Sequence, residues 1–389
     1  MATCKLMHAS ARRTWIILSE SSLGRRSFSH SPKASSTISR PPPAPKPPST
    51  PAAITLEEHF LTAASAAKLG GSGNRPSPLD ALSRVTGRDL RTGLTDLGPA
   101  HRLQSMDAAN ISHQVLSHGS LPAPPTPAEA VAINDELHKA TQAHPDRFVG
   151  FAALPMGDPV EAARELRRAV EELGFVGALV DNHAEGRFYD DRAYWPLFGQ
   201  AVELDVPIYI HPAFPLEVVA KAKYQGNYDA FSASCIGSWA YGWHSDIAVH
   251  ILRLYASGLF DAHPEIKLVI GHMGETLPMM IGRIGQWQRG FSGAKRSFED
   301  VWKKNIYVTT SGFFDVPPLK LLLDTLPTDH IMYSVDYPFG SNEQGAEFLE
   351  RIEKENVFEK YGGEEAYRGF LRGNAEKLLK LREKGITSA

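Results

Sequence analysis

Cysteine is almost missing from this chain, whose 389 residues include only Cys4 and Cys235. A disulfide framework needs several cysteine pairs, so this composition excludes one and fits a reducing compartment. With 42% hydrophobic and 22% charged residues, the chain has enough material for a large buried core. The composition predicts a globular protein of one or two domains, held together by packing.

Charge of one sign and long apolar runs are also scarce. The net charge is −3 at pH 7, and no long block of like charges occurs after residue 50. Neither nucleic acid nor an anionic membrane surface is therefore indicated as a partner. No apolar run is long enough to span a bilayer. A small molecule is the expected ligand.

The first 52 residues differ in composition from the rest. One acidic residue, Glu20, is outnumbered there by eight basic ones: Lys5, Arg12, Arg13, Arg25, Arg26, Lys33, Arg40 and Lys46. Together with many serines, this is typical of a mitochondrial transit peptide, and the proline-rich stretch at 41–51 cannot build a core. We expect 1–52 to be a transit-peptide-like disordered segment and 53–389 to be the folded domain. A disordered extension on a cytoplasmic protein is the alternative.

Short β-branched runs alternate with longer helical patterns from residue 54 to residue 380. Eight such runs predict strands, and they begin at Ile54, Ile111, Phe148, Val176, Pro207, Lys267, Ile306 and Ile331. Alternation predicts parallel βαβ units, and eight strands close a (β/α)8 (TIM) barrel. A doubly wound open sheet would alternate as well, but no glycine-rich phosphate loop follows the first run. We predict an α/β fold of the (β/α)8 barrel type.

Two connections are longer than a minimal barrel needs. Residues 61–110 follow strand one and residues 212–245 follow strand five, at the face where long loops build substrate pockets. The second connection is dense in aromatic residues, which are Phe214, Tyr224, Tyr228, Phe231, Trp239, Tyr241 and Trp243. They predict a wall for a planar, apolar ligand. For any single ring, packing against the barrel is the simpler interpretation.

Five metal-binding or acid–base side chains stand at or just past predicted strand ends: Glu57, His59, His211, His272 and Asp336. Residues two apart in a strand point the same way, so Glu57 and His59 project together. The strand ends meet at the mouth of a barrel. Two carboxylates and two imidazoles, from Glu57, His59, His211 and Asp336, suit one Zn²⁺ or Mn²⁺, between which the sequence does not decide.

His272 lies in the sequence GHMGE at the end of strand six. We assign it to catalysis or to polarisation of a substrate, with Glu275 one helical turn on holding its imidazole. The alternative is a fifth metal ligand. Other histidines, His244 among them, fall in predicted helices or connections, where solubility or local hydrogen bonding is the expected role.

These motifs resemble those of the decarboxylase branch of the amidohydrolase superfamily. That branch contains γ-resorcylate and 2,3-dihydroxybenzoate decarboxylases, with 2-amino-3-carboxymuconate semialdehyde decarboxylases as relatives. The resemblance is carried by LEEHF at 56–60, IHP at 210–212, the GHMGE run at 257–284, YVTTSG at 307–312 and YSVDYPF at 333–339. It implies a metal-dependent (β/α)8 catalytic domain, a homodimer or homotetramer, and metal ligands at Glu57, His59, His211 and Asp336.

The first motif separates this branch from its relatives. Hydrolytic members of the superfamily usually open with H-x-H on strand one, and binuclear ones often carry a bridging lysine at strand four. Here the first motif is E-x-H, and strand four ends in Val180, Asp181 and Asn182 without a lysine. The resemblance therefore favours the branch that acts on phenolic acids.

The implied reaction is non-oxidative decarboxylation of an ortho-hydroxybenzoate, the work of a carboxy-lyase. Direct loss of CO₂ would leave an unstabilised aryl anion, so protonation of the carboxyl-bearing ring carbon is expected first. Asp336 is the expected proton donor, assisted by His272 and Glu275. Metal-dependent hydrolysis of a lactone or an amide at the same site is the alternative, and a barrel that only binds is a third possibility.

Three further residues are expected to bind the substrate. Trp239 belongs to the aromatic connection, and Phe339 follows Asp336 in YSVDYPF. Arg283 lies in the GHMGE run at 257–284, and it is expected to pair with a carboxylate at the site or across a subunit interface. A surface salt bridge is the other interpretation of Arg283.

Overall fold

The structure is a computed structural model that describes residues 51–69 and 78–388. The predicted transit-peptide-like segment lies almost entirely outside these residues, so it stays a prediction. Within the described ranges, no helix combines the length and the apolar character that crossing a membrane requires.

Eight parallel strands form the centre of the fold, one in each of the eight predicted runs. They are β1 (Ala53–Phe60), β2 (Ile111–His118), β3 (Phe148–Gly150), β4 (Ala178–Asp181), β5 (Ile208–His211), β6 (Leu268–Ile270), β7 (Ile306–Thr309) and β8 (Ile331–Met332). The strands are ordered β1-β2-β3 in one sheet and β4-β5-β6-β7-β8 in the other. Isolated parallel bridges connect the sheets at both edges, from Ala152 to Ala178 and from Glu58 to Tyr337. The predicted α/β class with parallel strands is confirmed.

Helices follow most strands. The described residues contain α1 (Ala63–Lys68), α2 (Pro78–Thr86), α3 (Leu90–Thr95), α4 (Gln104–Ala108), α5 (Pro127–Ala143), α6 (Pro159–Glu171), α7 (Trp195–Leu204), α8 (Glu217–Val219), α9 (Ala230–Gly237), α10 (Gly242–Ser257), α11 (Leu259–Ala262), α12 (Ile281–Gln286), α13 (Phe298–Asn305), α14 (Val316–Thr325), α15 (Asn342–Lys354), α16 (Gly363–Arg368) and α17 (Asn374–Leu379). Local chemistry sets their ends. In α6, the Asp158 side chain accepts from the backbone N–H groups of Val160 and Glu161, and Pro159 occupies the first turn.

Alternation along the strands divides the core into two layers. In β5, Ile208 and Ile210 pack outward among the helices, whereas Tyr209 joins an inner cluster with residues such as Val115, Val269 and Met332. His211 is two residues beyond Tyr209 and therefore continues the inner face. In β1 the pairing register shifts between Thr55 and Glu58, after inner-face Ile54 and Leu56, and Glu57 and His59 lie beyond that irregularity at the candidate site.

The two long connections cover this end of the strands. Residues 61–69 and 78–110 contain α1 to α4, which enclose a small apolar cluster formed by residues such as Leu61, Leu90 and Leu94. Residues 212–245 contain α8, α9 and the start of α10. Phe339, just past β8, packs against the small apolar cluster of Leu61, Leu90 and Leu94. The connections therefore place apolar walls beside the polar strand ends.

Candidate metal centre and active site

The structure brings together the four residues expected to bind a metal. Oε1 of Glu57 lies 3.4 Å from Nε2 of His211 and 3.9 Å from Nε2 of His59. Nε2 of His59 is 3.2 Å from Oδ1 of Asp336. One potential ligand atom from each of the four lies within 4.8 Å of all the others. Side chains from β1, β5 and the segment after β8 thus converge on one point.

Unsatisfied polar atoms at this point fit a cation. Oε1 of Glu57, Nε2 of His59 and Oδ1 of Asp336 are buried without a hydrogen-bond partner in the described part of the chain. Each such atom costs about 1–3 kcal/mol when it is left unpaired. A divalent cation would satisfy all three, and two imidazoles with two carboxylates suit Mn²⁺ or Zn²⁺. The residues present therefore fit the implied metal.

Without a metal, mutual attraction among these groups governs their protonation. Burial lowers the pKa of His59, but the negative carboxylates of Asp336 and Glu57 beside the ring outweigh it and raise the pKa to about 9. Burial raises the pKa of Glu57, but the His272, His211 and His59 side chains around it hold that pKa well below its ordinary value. A metal entering the cluster would displace the proton that His59 holds at neutral pH.

A serine and a carboxylate orient His211 through Nδ1, the ring nitrogen that faces away from the cluster. The hydroxyl of Ser120, just past β2, donates to Oδ1 of Asp181 at 2.5 Å and lies 3.1 Å from Nδ1 of His211. Because its proton is directed to Asp181, the Ser120 oxygen accepts from an Nδ1–H of His211. That tautomer leaves the lone pair of Nε2 directed towards the cluster. Ser117 lies beside His59, with its hydroxyl 3.3 Å from Nδ1.

A tyrosine fixes the second oxygen of Glu57. The buried hydroxyl of Tyr209 donates to Oε2 of Glu57 and lies 2.7 Å from Oγ1 of Thr309. A Cβ at Gly271 would lie 2.6 Å from the same Oε2, so only glycine fits there without displacing the carboxylate. Sequence reasoning missed Tyr209, although its position two residues before His211 placed it on the same strand face.

His272 and Glu275 form the expected pair. Nδ1 of His272 lies 2.7 Å from Oε1 of Glu275, and its Nε2 is 3.9 Å from both Glu57 Oε1 and Asp336 Oδ2. Burial raises the pKa of Glu275, but the charges and hydrogen bonds of His272 and His244 outweigh it and lower the pKa to about 2. Glu275 has a second partner that the sequence did not indicate, because Nδ1 of His244 is 2.6 Å from its Oε2.

The backbone around this pair differs from the predicted helix. Residues His272–Gly274 form a short 3-10 turn, and α12 begins only at Ile281. Left-handed backbone angles interrupt the helix, and outside glycine the positive-φ positions at the site are His272 (46°), Met273 (58°), Glu275 (55°), Thr276 (69°), Ser311 (33°) and Asp336 (63°). Each such residue carries strain of about 1 kcal/mol or more. The expected helical turn from His272 to Glu275 is therefore a 3-10 turn with left-handed angles, and Glu275 reaches the His272 ring as expected.

A cavity of about 430 Å³ opens onto His59, His211, His272 and Asp336. Its other walls are mainly apolar and aromatic, formed by residues that include Leu61, Leu94, Phe214, Trp239, Trp243, Phe313 and Phe339. Two of the expected substrate-binding residues, Trp239 and Phe339, thus line it. The third, Arg283, is exposed on α12, where it donates to Gln286 and lies over the Trp287 ring. Its predicted contact with a substrate remains a prediction.

Comparison with known proteins gives the chain's relatives. The model of the amidohydrolase family matches residues 92–381. The chain is 41% identical to decarboxylase orsB of Emericella nidulans over 340 residues, covering 86% of this chain and 99% of the relative. It is 36% identical to a gamma-resorcylate decarboxylase of Polaromonas sp. over 349 residues, covering 84% of this chain and 98% of that one.

A solved structure is similar over the same part of the chain. It is a dihydroxybenzoic acid decarboxylase from Polaromonas sp. JS666, with bound manganese and the inhibitor 2-nitroresorcinol. Its TM-score is 0.71 at 33% identity, covering 86% of this chain and 99% of that protein.

Proposed function

The chain belongs to the amidohydrolase family as one of its decarboxylases, and from that premise we propose that it removes the carboxyl group of an ortho-hydroxybenzoate-type acid as CO₂. The predicted family, enzyme class and metal dependence are confirmed by these relatives and by the manganese in a similar structure. The observation that carries the proposal is the metal-binding cluster at the floor of an aromatic cavity, beside the His272–Glu275 pair.

We infer that the eight strands form one closed (β/α)8 barrel. The two parallel sheets are bridged at both edges, and the backbone N–H of His59 donates to the carbonyl of Tyr337 at 2.7 Å beside one bridge. The connections after β1 and β5 would then be its long substrate loops, at the carboxyl ends of the strands.

Four side chains would hold the metal, namely Glu57, His59, His211 and Asp336. A bound Mn²⁺ or Zn²⁺ supplies Lewis-acid polarisation of the substrate's carboxylate and phenolic oxygens. Asp336 gives its proton to the carboxyl-bearing ring carbon. The electrons of the C–C bond to the carboxyl group then return to the ring as CO₂ leaves. His272, whose Nε2 faces Asp336 Oδ2 at 3.9 Å, orients the reacting carboxyl group or returns the proton.

The aromatic walls support a planar substrate. Trp239 and Phe339 lie on the cavity with Trp243 and Phe313, and a benzoate ring fits between such rings. Their apolar surface also excludes water, which strengthens the electrostatic interactions at the reacting carbon.

Arg283 supports an assembly of identical subunits. Its guanidinium lies over the Trp287 ring, and the nearby large apolar side chains Met279, Met280 and Trp287 are 69%, 40% and 63% exposed. We propose that they belong to one apolar patch. We propose a homodimer or homotetramer in which a second copy covers this patch, so that Arg283 reaches a carboxylate of its partner. Light scattering on Trp287→Glu tests it, because an assembly unchanged by that charge would exclude this surface.

The basic, serine-rich N-terminus supports import into mitochondria, with the cytoplasm as the alternative. Residues 1–52 fused to a fluorescent protein would direct it to mitochondria. A diffuse cytoplasmic signal would contradict the proposal.

The decisive experiment measures CO₂ release from a panel of acids on protein of known metal content. Salicylate, 2,3-dihydroxybenzoate, 2,6-dihydroxybenzoate and isoorotate all present a carboxylate beside an oxygen. We expect release from at least one of them, loss of release on chelation, and its return with Mn²⁺ or Zn²⁺. Undiminished turnover in verified metal-free protein would exclude the proposal, and hydrolysis of a lactone or an amide without CO₂ release would favour the alternative.

The variant Asp336→Asn separates proton transfer from folding. The amide keeps the shape of the side chain but carries no transferable proton, so we expect turnover to fall by about 10²-fold or more. Circular dichroism and metal content on the same sample serve as controls, since Asp336 is also expected to bind the metal. Full turnover in the variant would remove Asp336 from the proton-donor role.

A further inference from the structure

A buried histidine outside the metal-binding cluster has both ring nitrogens occupied. His244, in the first turn of α10, places Nδ1 2.6 Å from Oε2 of Glu275 and Nε2 3.1 Å from the carbonyl oxygen of Trp239. Only 8% of the residue is exposed. One nitrogen thus faces the His272–Glu275 pair, and the other faces the aromatic connection that lines the cavity.

Both ring nitrogens of His244 face oxygen acceptors. Nε2 faces the carbonyl oxygen of Trp239, and a carbonyl oxygen only accepts. Nδ1 faces Oε2 of Glu275 at 2.6 Å, which is the shorter of the two contacts. A carboxylate also accepts, so Nδ1 of His244 is the donor in this hydrogen bond.

The ring stands between two parts of the site. On one side, Oε1 of the fully buried Glu275 holds Nδ1 of His272 at 2.7 Å, and the His244 and His272 rings meet edge to face at 4.9 Å. On the other side, the ring of Trp239 packs against that of Trp243, with 5.9 Å between the ring centroids, and both tryptophans line the cavity. Through His244, the position of the aromatic wall is connected to the orientation of the pair beside the metal.

We propose that His244 is a positioning residue for decarboxylation, which fixes the Glu275 carboxylate and, through it, His272 against the aromatic connection. The proposal rests on the proposed function, because His272 acts on the substrate only if that function is right. Without the Nδ1 hydrogen bond, Oε2 of Glu275 would be a buried oxygen with no partner, and the carboxylate could rotate away from His272. The substrate would still bind to the metal and the aromatic walls.

Two substitutions separate the two hydrogen bonds of the ring. The amide nitrogen of asparagine occupies roughly the place of Nδ1, and that of glutamine the place of Nε2. His244→Asn therefore keeps the donor to Glu275, whereas His244→Gln keeps only the donor to Trp239. We expect His244→Gln to lower kcat by about 10²-fold and His244→Asn by less than about 5-fold, with KM changed little in either.

Matched controls come from the same helix. His250, also on α10, is fully buried and hydrogen-bonds to Asn182 and Tyr189 away from the cavity. His250→Asn and His250→Gln should lower the melting temperature and leave kcat unchanged. Equal loss in both His244 variants, or full kcat in both, would overturn the proposal. If His244→Gln does not fold, His244→Asn is compared with a third variant, Glu275→Gln. A loss of kcat in His244→Asn as large as that in Glu275→Gln would overturn the proposal.

A second measurement does not depend on turnover. A hydrogen bond between an imidazole and a buried carboxylate gives a low-field N–H proton in NMR spectra, protected from exchange with water. His272 can give such a signal as well, so the proton on Nδ1 of His244 is assigned by its absence from His244→Gln and its presence in His244→Asn as a shifted amide signal. We expect the protected His244 proton in the natural sequence and its loss in His244→Gln, with the His272 signal as the internal reference. If the natural sequence releases no CO₂ from any acid, the proposed function fails. If the protected proton is absent, or persists in His244→Gln, the role of His244 fails.

Discussion

At the scale of single residues, the hydroxyl of Ser120 decides which nitrogen of His211 faces the metal site. It donates to Asp181 and leaves its lone pair for Nδ1 of His211. Ser120→Ala removes that acceptor, so the His211 ring can change its tautomer or rotate. We expect metal affinity to fall about 10–100-fold, measured by competition with a chelating dye.

Ser65→Ala is the control for Ser120→Ala. Ser65 is buried, whereas Ser120 is half-buried, and Ser65 also hydrogen-bonds a histidine, but that histidine is His118, which lies outside the metal-binding cluster. Metal affinity should not change in this variant. The same affinity in Ser120→Ala and in the natural sequence would contradict the proposed role of Ser120.

The clustering of the four candidate metal ligands could be predicted from sequence because each stands at or just past a strand end. Glu57 and His59 are two residues apart, and this period of two alone places them side by side. Ser120 and His244 gave no such signal. Their roles depend on how the loop after β2 and the first turn of α10 fold over the strand ends, and serine and histidine are common in loops and helices for other reasons.

At the scale of elements, Glu58 attaches β1 to the segment after β8. Its buried carboxylate accepts from the backbone N–H groups of Val335 and Tyr337 and from the Ser334 hydroxyl, each at 3.0 Å. These donors flank Asp336, so the attachment sets the position of a residue expected to bind the metal. Burial raises the pKa of Glu58 to about 7 even though these hydrogen bonds oppose it.

Removing this attachment should weaken the fold and the metal site together. Glu58→Ala leaves the buried backbone donors without an acceptor. We therefore expect the free energy of unfolding, measured by urea denaturation, to fall by about 3 kcal/mol. Metal affinity should fall as well, because Asp336 loses its support. Glu58→Gln keeps one accepting oxygen, so its free energy of unfolding should fall by only about 1 kcal/mol. If Glu58→Ala and the natural sequence had the same free energy of unfolding, the hydrogen bonds of Glu58 would not stabilise the fold.

Strand positions were more predictable than connections. All eight runs contain a strand because β-branched residues flanked by turns define short parallel strands locally. The segment after β6 did not follow its sequence pattern. Its residues from His272 to Thr276 are left-handed, and contacts of His272 with Glu57 and of Glu275 with His244 hold this segment against its local preference.

At the scale of the whole molecule, buried neutral histidines should make the fold sensitive to acid. Burial lowers the pKa of His250 to about 3 and that of His118 to about 4. In the unfolded chain each would titrate near 6.5. Between these values the unfolded chain binds more protons, so both groups support folding above about pH 6.5 and lose that contribution as the pH falls towards 4.

His250→Gln tests this dependence. Glutamine does not titrate, so the variant should lose less stability than the natural sequence when urea unfolding is compared at pH 7 and pH 5. The difference should be about 2 kcal/mol, since each pKa unit corresponds to about 1.4 kcal/mol. Parallel stability curves for the two proteins would show that His250 contributes nothing to acid sensitivity.

The left-handed residues beside the metal site bear on how this enzyme can adapt to heat. Glycine at Thr276 would relieve about 1 kcal/mol of backbone strain, and selection for thermal resistance alone would favour it. Selection for turnover opposes such changes at His272, Glu275 and Asp336, whose side chains the proposed reaction uses. We therefore expect heat-adapted orthologues to keep these three residues and to gain their stability on outer helices such as α6 and α15.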